Sequence, residues 1–278
     1  MTMDAAATAL AHGGVVAFTG AGISAESGSP TFRDPGGLWE RYDPARFGTF
    51  EGIAREAMTH PDELADYLTE MRAAFAAAEP NPAHRALWTL EAEGLLDAVI
   101  TQNVDGLHRT AGSSRVIEVH GSHRRRRCLS CGFAEEIDQA EYVAGIDRTI
   151  QQLRTAFVPS YEALLPRCSA CGGPARPDVV AFGEPVKDFA EAERVTAACR
   201  TFLVVGTSGE VYPAAGLPRL AKEYGALVID VAPDRTFIDA DIRIEGRAGS
   251  VLPELVRRAI EAGKAKEATS DADSAADR

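Results

Sequence analysis

Two kinds of apolar pattern alternate along the chain. Short unbroken runs occur in "GVVAFTG" (14–20), "DAVITQN" (97–103), "RVIEVHG" (115–121), "PDVVAFGE" (177–184), "RTFLVVGTS" (200–208) and "ALVIDVA" (226–232), each bounded by glycine or polar residues. Their valines, isoleucines and phenylalanines suit strands buried on both faces. Between these runs, helix-like segments cover about 3–11, 51–78, 81–95, 186–199, 213–224 and 250–263. The 51–78 stretch breaks at "THPDE", where Thr59 is placed to cap and Pro61 to open the next helix. A further short helix is expected after Asp105.

Strands alternating with helices predict an α/β fold, a doubly wound parallel sheet of Rossmann-like type. Two stretches break the alternation. "TFRDPGGLWERYDPARFG" (31–48) has glycines, prolines and aromatics without a period, and reads as a long ordered loop. "DQAEYVAGIDRTIQQLRTAFVPSYEAL" (138–164) reads as an inserted, mostly helical stretch. The tail "KAKEATSDADSAADR" (264–278) is too polar to pack and is expected to be disordered.

Composition changes little: 278 residues, 45% hydrophobic and 25% charged, are ordinary for a soluble globular protein. A net charge of −12 argues against a nucleic-acid binder that works by neutralising phosphates. "HRRRRC" (123–128) is the one basic cluster, read as a solvated face or, less readily, a polyanion contact. No apolar run approaches the roughly 18 residues of a membrane helix, and the N-terminus lacks the features of a secretory signal. A cytoplasmic location, with no membrane partner, is the expectation.

The candidate chemistry sits at the ends of the apolar runs. Gly20, Gly22 and Ala25 satisfy G-x-G-x-x-[G/A]. A strand ending this way lets the backbone approach a pyrophosphate, while a following helix N-terminus offers N–H donors and a positive dipole. A dehydrogenase unit continues through helix and strand to an acid about 20 residues on. Here the next 25 residues contain no strand-like run, only the loop with Phe32 and Arg33, which counts against hydride transfer. Gln102, Asn103 and Asp105, directly after another strand, form a carboxamide-rich edge suited to an amide or a ribose diol. Capping by Asn103 or Asp105 accounts for one of these residues, not for all three. His120 ends a strand in the same crevice, where an imidazole with pKa near 6.5 serves as a proton acceptor.

Cys128-x-x-Cys131 and Cys168-x-x-Cys171 supply four thiolates, the closed set of one structural zinc ion. Cys199 reads as a buried core thiol. The expected division is a Rossmann-like domain built from 1–34, 81–120 and 177–263. A cofactor loop and small helical subdomain occupy 35–80, and a zinc-binding module occupies 121–176.

Taken in order, "GAGISAESGSPTFR", "TQNVDGLH", "VHG", the two cysteine pairs, "RPDVVAFGE" and "GTSGEVYPAA" closely resemble the sirtuin family over about residues 13–260. The resemblance implies NAD-dependent removal of acyl groups from protein lysines, with NAD consumed as co-substrate. It implies His120 and Asn103 as catalytic residues. It implies cofactor contacts at Gly20, Ala21, Gly22, Ser24, Ala25, Thr31, Phe32, Arg33, Gln102, Asn103, Val104, Asp105, Gly206, Thr207 and Ser208. The substrate peptide is expected to lie as an added strand along Val180, Phe182, Gly183 and Glu184, with Val211 nearby. Ala248 matches a final adenine contact. Ala232 departs from the pattern, which has an Asn there to hold the adenosine ribose.

A second departure concerns the acyl group. Members that prefer succinyl or malonyl lysine resemble one another in a Tyr-x-x-Arg pair, whose positions here are Leu68 and Met71. Tyr67 and Arg72 are five apart, about 140° around a helix, so they diverge. An apolar pocket at Leu68 and Met71 suits acetyl and longer neutral chains. Three rivals stand beside deacylation: ADP-ribosyl transfer through the same site, an NAD-dependent dehydrogenase, and a zinc-ribbon binding module.

Overall fold

The main sheet takes the order β3-β2-β1-β7-β8-β9, all parallel. Its strands are β1 (Val15–Thr19), β2 (Leu96–Thr101), β3 (Val116–Glu118), β7 (Thr201–Val205), β8 (Leu227–Ala232) and β9 (Ile242–Glu245). A second, antiparallel sheet is built from β4 (Gly121–Cys128), β5 (Ala134–Glu136) and β6 (Ala175–Val179), in the order β5-β4-β6. The structure is a computed structural model that describes residues 2–32, 36–155 and 157–276, with side chains described as far as residue 266.

Alternation along β1 explains why this sheet is covered on both faces. Val15 and Ala17 face a core shared with α1 (Thr2–Leu10), α6 (Pro82–Ala92) and α12 (Ala248–Ala276). Val16 and Phe18 face the opposite core, with α10 (Phe189–Ala198) and α11 (Leu217–Glu223). Strand order reverses between β1 and β7, so the carboxyl ends of those two strands flank a topological switch point. In open α/β sheets that crevice is where ligands bind.

A third core lies outside the sheet. It joins α2 (Leu38–Arg41), α3 (Pro44–Phe47), α4 (Phe50–Thr59) and α5 (Pro61–Ala77) to α8 (Gln139–Thr155) and α9 (Tyr161–Leu164). Leu64, Met71 and Phe75 on α5 meet Tyr142 and Leu153 on α8. The inserted stretch between the cysteine pairs therefore folds onto the helical lobe. The remaining helix, α7 (Leu107–Ala111), follows Asp105.

Several expectations change. "PDVVAFGE" is not a strand of the main sheet: only its first residues lie in β6, which pairs antiparallel with β4. The basic stretch is β4 itself and not a solvated face. Arg125 and Arg127 bond the buried Asp178 at 3.0 and 2.7 Å, while Arg126 bonds Glu135 and Glu141, each at 2.9 Å. Burial raises the Asp178 carboxyl, but Arg127, Lys187 and Arg125 overcome that and hold it down to about 2. β9 carries no strand signal in the sequence, because "IRIE" is half charged and runs at the sheet edge. The 31–48 loop contains α2 and α3, the latter capped by Asp43 Oδ1 accepting the Ala45 N–H at 2.9 Å with Pro44 behind it. Thr59 caps nothing; its hydroxyl donates back to the Arg55 carbonyl at 2.9 Å. α12 continues through most of the stretch expected to be disordered, where alanine, lysine and glutamate favour helix.

Candidate active site

After β1 the chain turns through Gly20–Gly22 and packs against the turn that follows β7. Gly20 N–H bonds the Val205 carbonyl at 3.1 Å, and Gly22 N–H bonds the Gly206 carbonyl at 2.8 Å. A Cβ at Gly20 would fall 2.7 Å from the Gly206 oxygen, and one at Gly22 would fall 2.8 Å from the Gly206 Cα. The glycines are thus required by this backbone-to-backbone approach, beyond any need of a pyrophosphate. No α-helix follows them; two 3₁₀ turns, Ala21–Ile23 and Ala25–Ser27, take its place. The expected helix dipole is replaced by N–H groups of tight turns.

Polar side chains behind the turn form one buried network. Ser24 Oγ donates to Asp105 Oδ2 at 2.7 Å, and Leu107 N–H bonds Asp105 Oδ1 at 3.0 Å. Asn103 Nδ2 donates to the Gly20 carbonyl at 3.0 Å and to Ser24 Oγ at 3.1 Å. Both of its N–H groups are then used, so Oδ1 is the atom left for a ligand. Burial, only partly offset by the Leu107 N–H and Ser24 hydroxyl, raises the Asp105 carboxyl. Gln102 Nε2 donates to Thr207 Oγ1 at 2.8 Å, tying the end of β2 to the turn after β7.

His84 and His108, which sequence reasoning missed, complete the network. Their rings meet edge to face at 4.8 Å. His84 Nδ1 accepts the Asn81 N–H at 3.3 Å within a capping box, so its Nε2–H faces Ser24 Oγ at 3.4 Å. Burial pushes His84 down to about 4 and His108 well below its usual value. "NPAHR" carries the capping-box signal, but nothing in it shows that His84 reaches Ser24.

His120 Nδ1 lies 3.1 Å from the Gln102 carbonyl, an acceptor only, so this nitrogen carries the proton. Nε2 keeps its lone pair. Burial lowers the His120 pKa against the pull of that carbonyl, leaving the ring neutral at pH 7.

A cavity of about 490 Å³ collects most of these groups. The glycine turn, Ser24, Thr31, Phe32, the Gln102–Asp105 edge, His120, Gly206, Thr207 and Ser208 line it, as do Leu68, Met71, Val180, Phe182, Gly183, Glu184 and Val211. Ala25, Ala232 and Ala248 do not; Ala232 and Ala248 are each 5% exposed, and the Ala232 carbonyl accepts the Gly246 N–H at 3.1 Å. Arg33 lies outside the described residues. The Val180–Glu184 strip is a turn and not a strand, with the Val180 and Phe182 N–H groups bonded inward to the His120 and Gly48 carbonyls, both at 2.8 Å. Unexpected walls are aromatic: Trp39, Phe47, Tyr67 and Phe75 from the helical lobe, and Tyr142 from the insertion.

Away from the cavity, the four thiols of Cys128, Cys131, Cys168 and Cys171 lie within 4.8 Å of one another. Sγ of Cys128 is 3.5 Å from that of Cys171, and Sγ of Cys131 is 3.8 Å from that of Cys168. Tetrahedral zinc with ~2.3 Å bonds to sulfur spaces its ligands about 3.8 Å apart, so the set fits a metal ion. Backbone N–H groups of Ser130 and Gly173 already point at these sulfurs, at 3.3 and 3.4 Å. Cys199 is buried apart from them, its Sγ–H donating to the Thr196 carbonyl at 3.1 Å.

A parallel-sheet switch-point crevice with a glycine turn, a carboxamide edge and a strand-end histidine defines a dinucleotide-using enzyme class in which the acid of a dehydrogenase unit is missing. Residues 20–213 match the Sir2 family, and the chain belongs to that family. An NAD-dependent protein deacylase of Thermococcus kodakarensis is 47% identical over 247 residues, covering 87% of this chain and 90% of the relative. A solved Sir2 homologue in complex with NAD superposes with a TM-score of 0.74 at 37% identity, covering 92% of this chain and 93% of that one. A Sir2 protein bound to a myristoylated histone peptide superposes at 0.69 with 36% identity, covering 93% and 96%. Among the described residues, no helix is long and apolar enough to cross a membrane.

Proposed function

We propose that this chain is an NAD-dependent protein deacylase, removing acyl groups, acetyl foremost, from lysine side chains to give nicotinamide, an O-acyl-ADP-ribose and free lysine. One observation carries the reading. His120, with Nδ1–H fixed on a backbone carbonyl, shares a cavity with the glycine turn, the Asn103–Asp105 edge and an apolar branch. The shared name of the relatives supports it.

When bound, NAD supplies a ribose carbon that nicotinamide leaves and the acyl oxygen joins. Asn103 Oδ1 and the Asp105 carboxyl hold the nicotinamide carboxamide, and Gly20–Gly22 with Gly206, Thr207 and Ser208 cradle phosphate and ribose. Ala21, Ser24, Ala25, Thr31, Phe32, Arg33, Gln102 and Val104 belong to the same cofactor assignment. Ala232 and Ala248 bring only methyl groups, so their contribution to the adenosine end is packing. Holding an amide oxygen against the reacting carbon supplies roughly 7–11 kcal/mol of the barrier. His120 Nε2 accepts the ribose hydroxyl proton, its lowered pKa keeping it in the basic form.

The acyl chain lies beside Leu68 and Met71, and the pocket prefers neutral chains. Arg72 turns away from the cavity and bonds Asp147 through Nε at 2.9 Å and Nη2 at 3.0 Å. The peptide lies along Val180, Phe182, Gly183 and Glu184 near Val211. The four cysteines hold one structural zinc with no open position. A cytoplasmic location belongs to the reading, since cysteines kept as thiolates suit a reducing compartment; nucleic acid and membrane are not expected partners. The domain division stated above is part of the same reading, with the insertion shared between zinc module and helical lobe.

Incubation with NAD and an acetyl-lysine peptide tests it. Nicotinamide and deacetylated peptide are expected in equal amounts; label from NAD retained on protein would favour ADP-ribosyl transfer instead.

A further inference from the structure

One polar ring stands among the apolar walls of the cavity. His123 shows 1% of its surface and lies between Phe75, at a centroid distance of 4.7 Å, and Tyr142, at 4.5 Å. It lines the same cavity as Met71 and Val104. Among the described residues, neither ring nitrogen completes a well-formed hydrogen bond, although the Gln139 side chain and the Val104 carbonyl stand near enough to favour its protonation. Buried polar atoms are nearly always satisfied, and leaving one bare is costly.

The local inventory shows what is missing. Burial, with Arg124 adding to it, pushes His123 down to about 4, so at pH 7 the ring has one N–H and one lone pair. The polar neighbours that favour its protonation, Gln139 and the Val104 carbonyl, face it as acceptors. Gln139 directs its Nε2–H to the Phe75 carbonyl, and its Oε1 is also without a partner. One proton serves several acceptors. The site lacks a donor.

We propose that His123 is a specificity-determining residue of the acyl pocket, accepting a hydrogen bond from a hydroxyl on the distal part of a substrate acyl chain. Hydroxylated acyl-lysines are then preferred over alkyl chains of equal length. This rests on the deacylase reading and names the substrate class of that same site. A carboxylate is the wrong ligand, being acceptor-only against a neutral ring. An ammonium would bury an unpaired charge. Acetyl is too short to carry a distal hydroxyl, and both nitrogens are covered by their neighbours. The preference therefore belongs to chains long enough to part the apolar side chains around the ring.

The test uses the full-length enzyme and one peptide carrying matched chains of four to eight carbons, with and without a hydroxyl toward the far end. In the wild type at least one hydroxylated chain is expected to exceed its parent in kcat/KM by about three- to tenfold. In His123→Leu the hydroxylated-to-parent ratio should fall about three- to tenfold, because the ring nitrogen that accepts the hydroxyl is gone. His123→Gln, which retains an acceptor, should recover part of the ratio. The ratio is read within each variant, so general damage to activity cancels. Should His123→Leu fail to fold, the wild-type comparison still decides. Ratios at or below one for every chain length, or a ratio unmoved in His123→Leu, overturn the proposal while acetyl-peptide turnover keeps the deacylase reading. No nicotinamide from any acylated peptide overturns both.

Discussion

The crevice at the ends of β1, β2 and β7 and the lobe formed by α5 with the inserted α8 are built on opposite terms. In the crevice, contacts are short and polar, and they join three compact runs, Gly20 to Gly22, Gln102 to Asp105 and Gly206 to Ser208, each readable by its own spacing. In the lobe they are apolar and made by residues that follow no fixed spacing, Phe75 with Tyr142 at 6.1 Å being typical. Chemistry that requires particular backbone geometry fixes residue type at fixed spacing. A pocket wall asks only for volume, which many residues supply.

The most damaging way to break the crevice is at its base. His120→Ala is expected to lower kcat/KM by about 10²–10⁴-fold while NAD still binds and the melting temperature holds. Steady-state kinetics beside a calorimetric NAD titration checks this, and activity within tenfold of wild type would falsify the assignment.

Breaking the lobe from its far side should cost stability before chemistry. Cys171→Ala leaves three thiolates, so metal content should fall below one per chain and the module should unfold earlier. Since α8 leaves from between the two cysteine pairs, acyl-chain selectivity should loosen with it. Metal analysis paired with a butyryl-to-acetyl rate ratio reads both. Full metal loss with unchanged selectivity would separate module from pocket.

Acid sharpens the contrast, because each region buries a neutral histidine. His84 in the crevice and His123 in the lobe are both pushed from 6.5 to about 4 by burial. A depressed histidine stabilises the fold fully above its unfolded value and loses that contribution as pH falls toward the folded one. Stability should therefore decline between pH 6.5 and 4, by at most about 3 kcal/mol per ring at ~1.4 kcal/mol per pH unit. Denaturant melts at pH 7 and 5 measure it. His84→Gln and His123→Gln should each flatten the slope, and a slope unchanged in both would assign the acid loss elsewhere.

The smallest effect is expected at Arg72. Its partner is Asp147 on the surface, where an ion pair is worth about 0–1 kcal/mol. Arg72→Ala should leave acetyl turnover within about twofold and should not alter an already poor succinyl rate. A selective loss of succinyl activity would mean that Arg72 reaches the cavity after all.

How much was legible follows the same division. The glycine turn, the strand-end histidine, the carboxamide edge and the cysteine set announced themselves because each depends on near neighbours. The His84–Ser24 contact did not, since it joins residues 60 apart through a fold not yet known. β4 was hidden by its own arginines: four cations in a row read as surface until Asp178, Glu118 and Glu135 arrive from elsewhere to pair with them. The pocket-facing side of α8 was equally hidden, because its Tyr142 and Ile146 show amphipathicity without showing which lobe they face.

The pairing of β1 carries a consequence for synthesis. Val15 pairs with Leu96 on one side and with Thr201 on the other. On a ribosome adding ~5–20 residues per second, the second partner emerges about ten to forty seconds after the first strand. Throughout that interval an apolar strand, Val-Val-Ala-Phe-Thr, holds an open edge that other chains can pair with. The nascent protein is therefore at its most aggregation-prone before the last third of the chain appears, when β7 has not yet closed that edge.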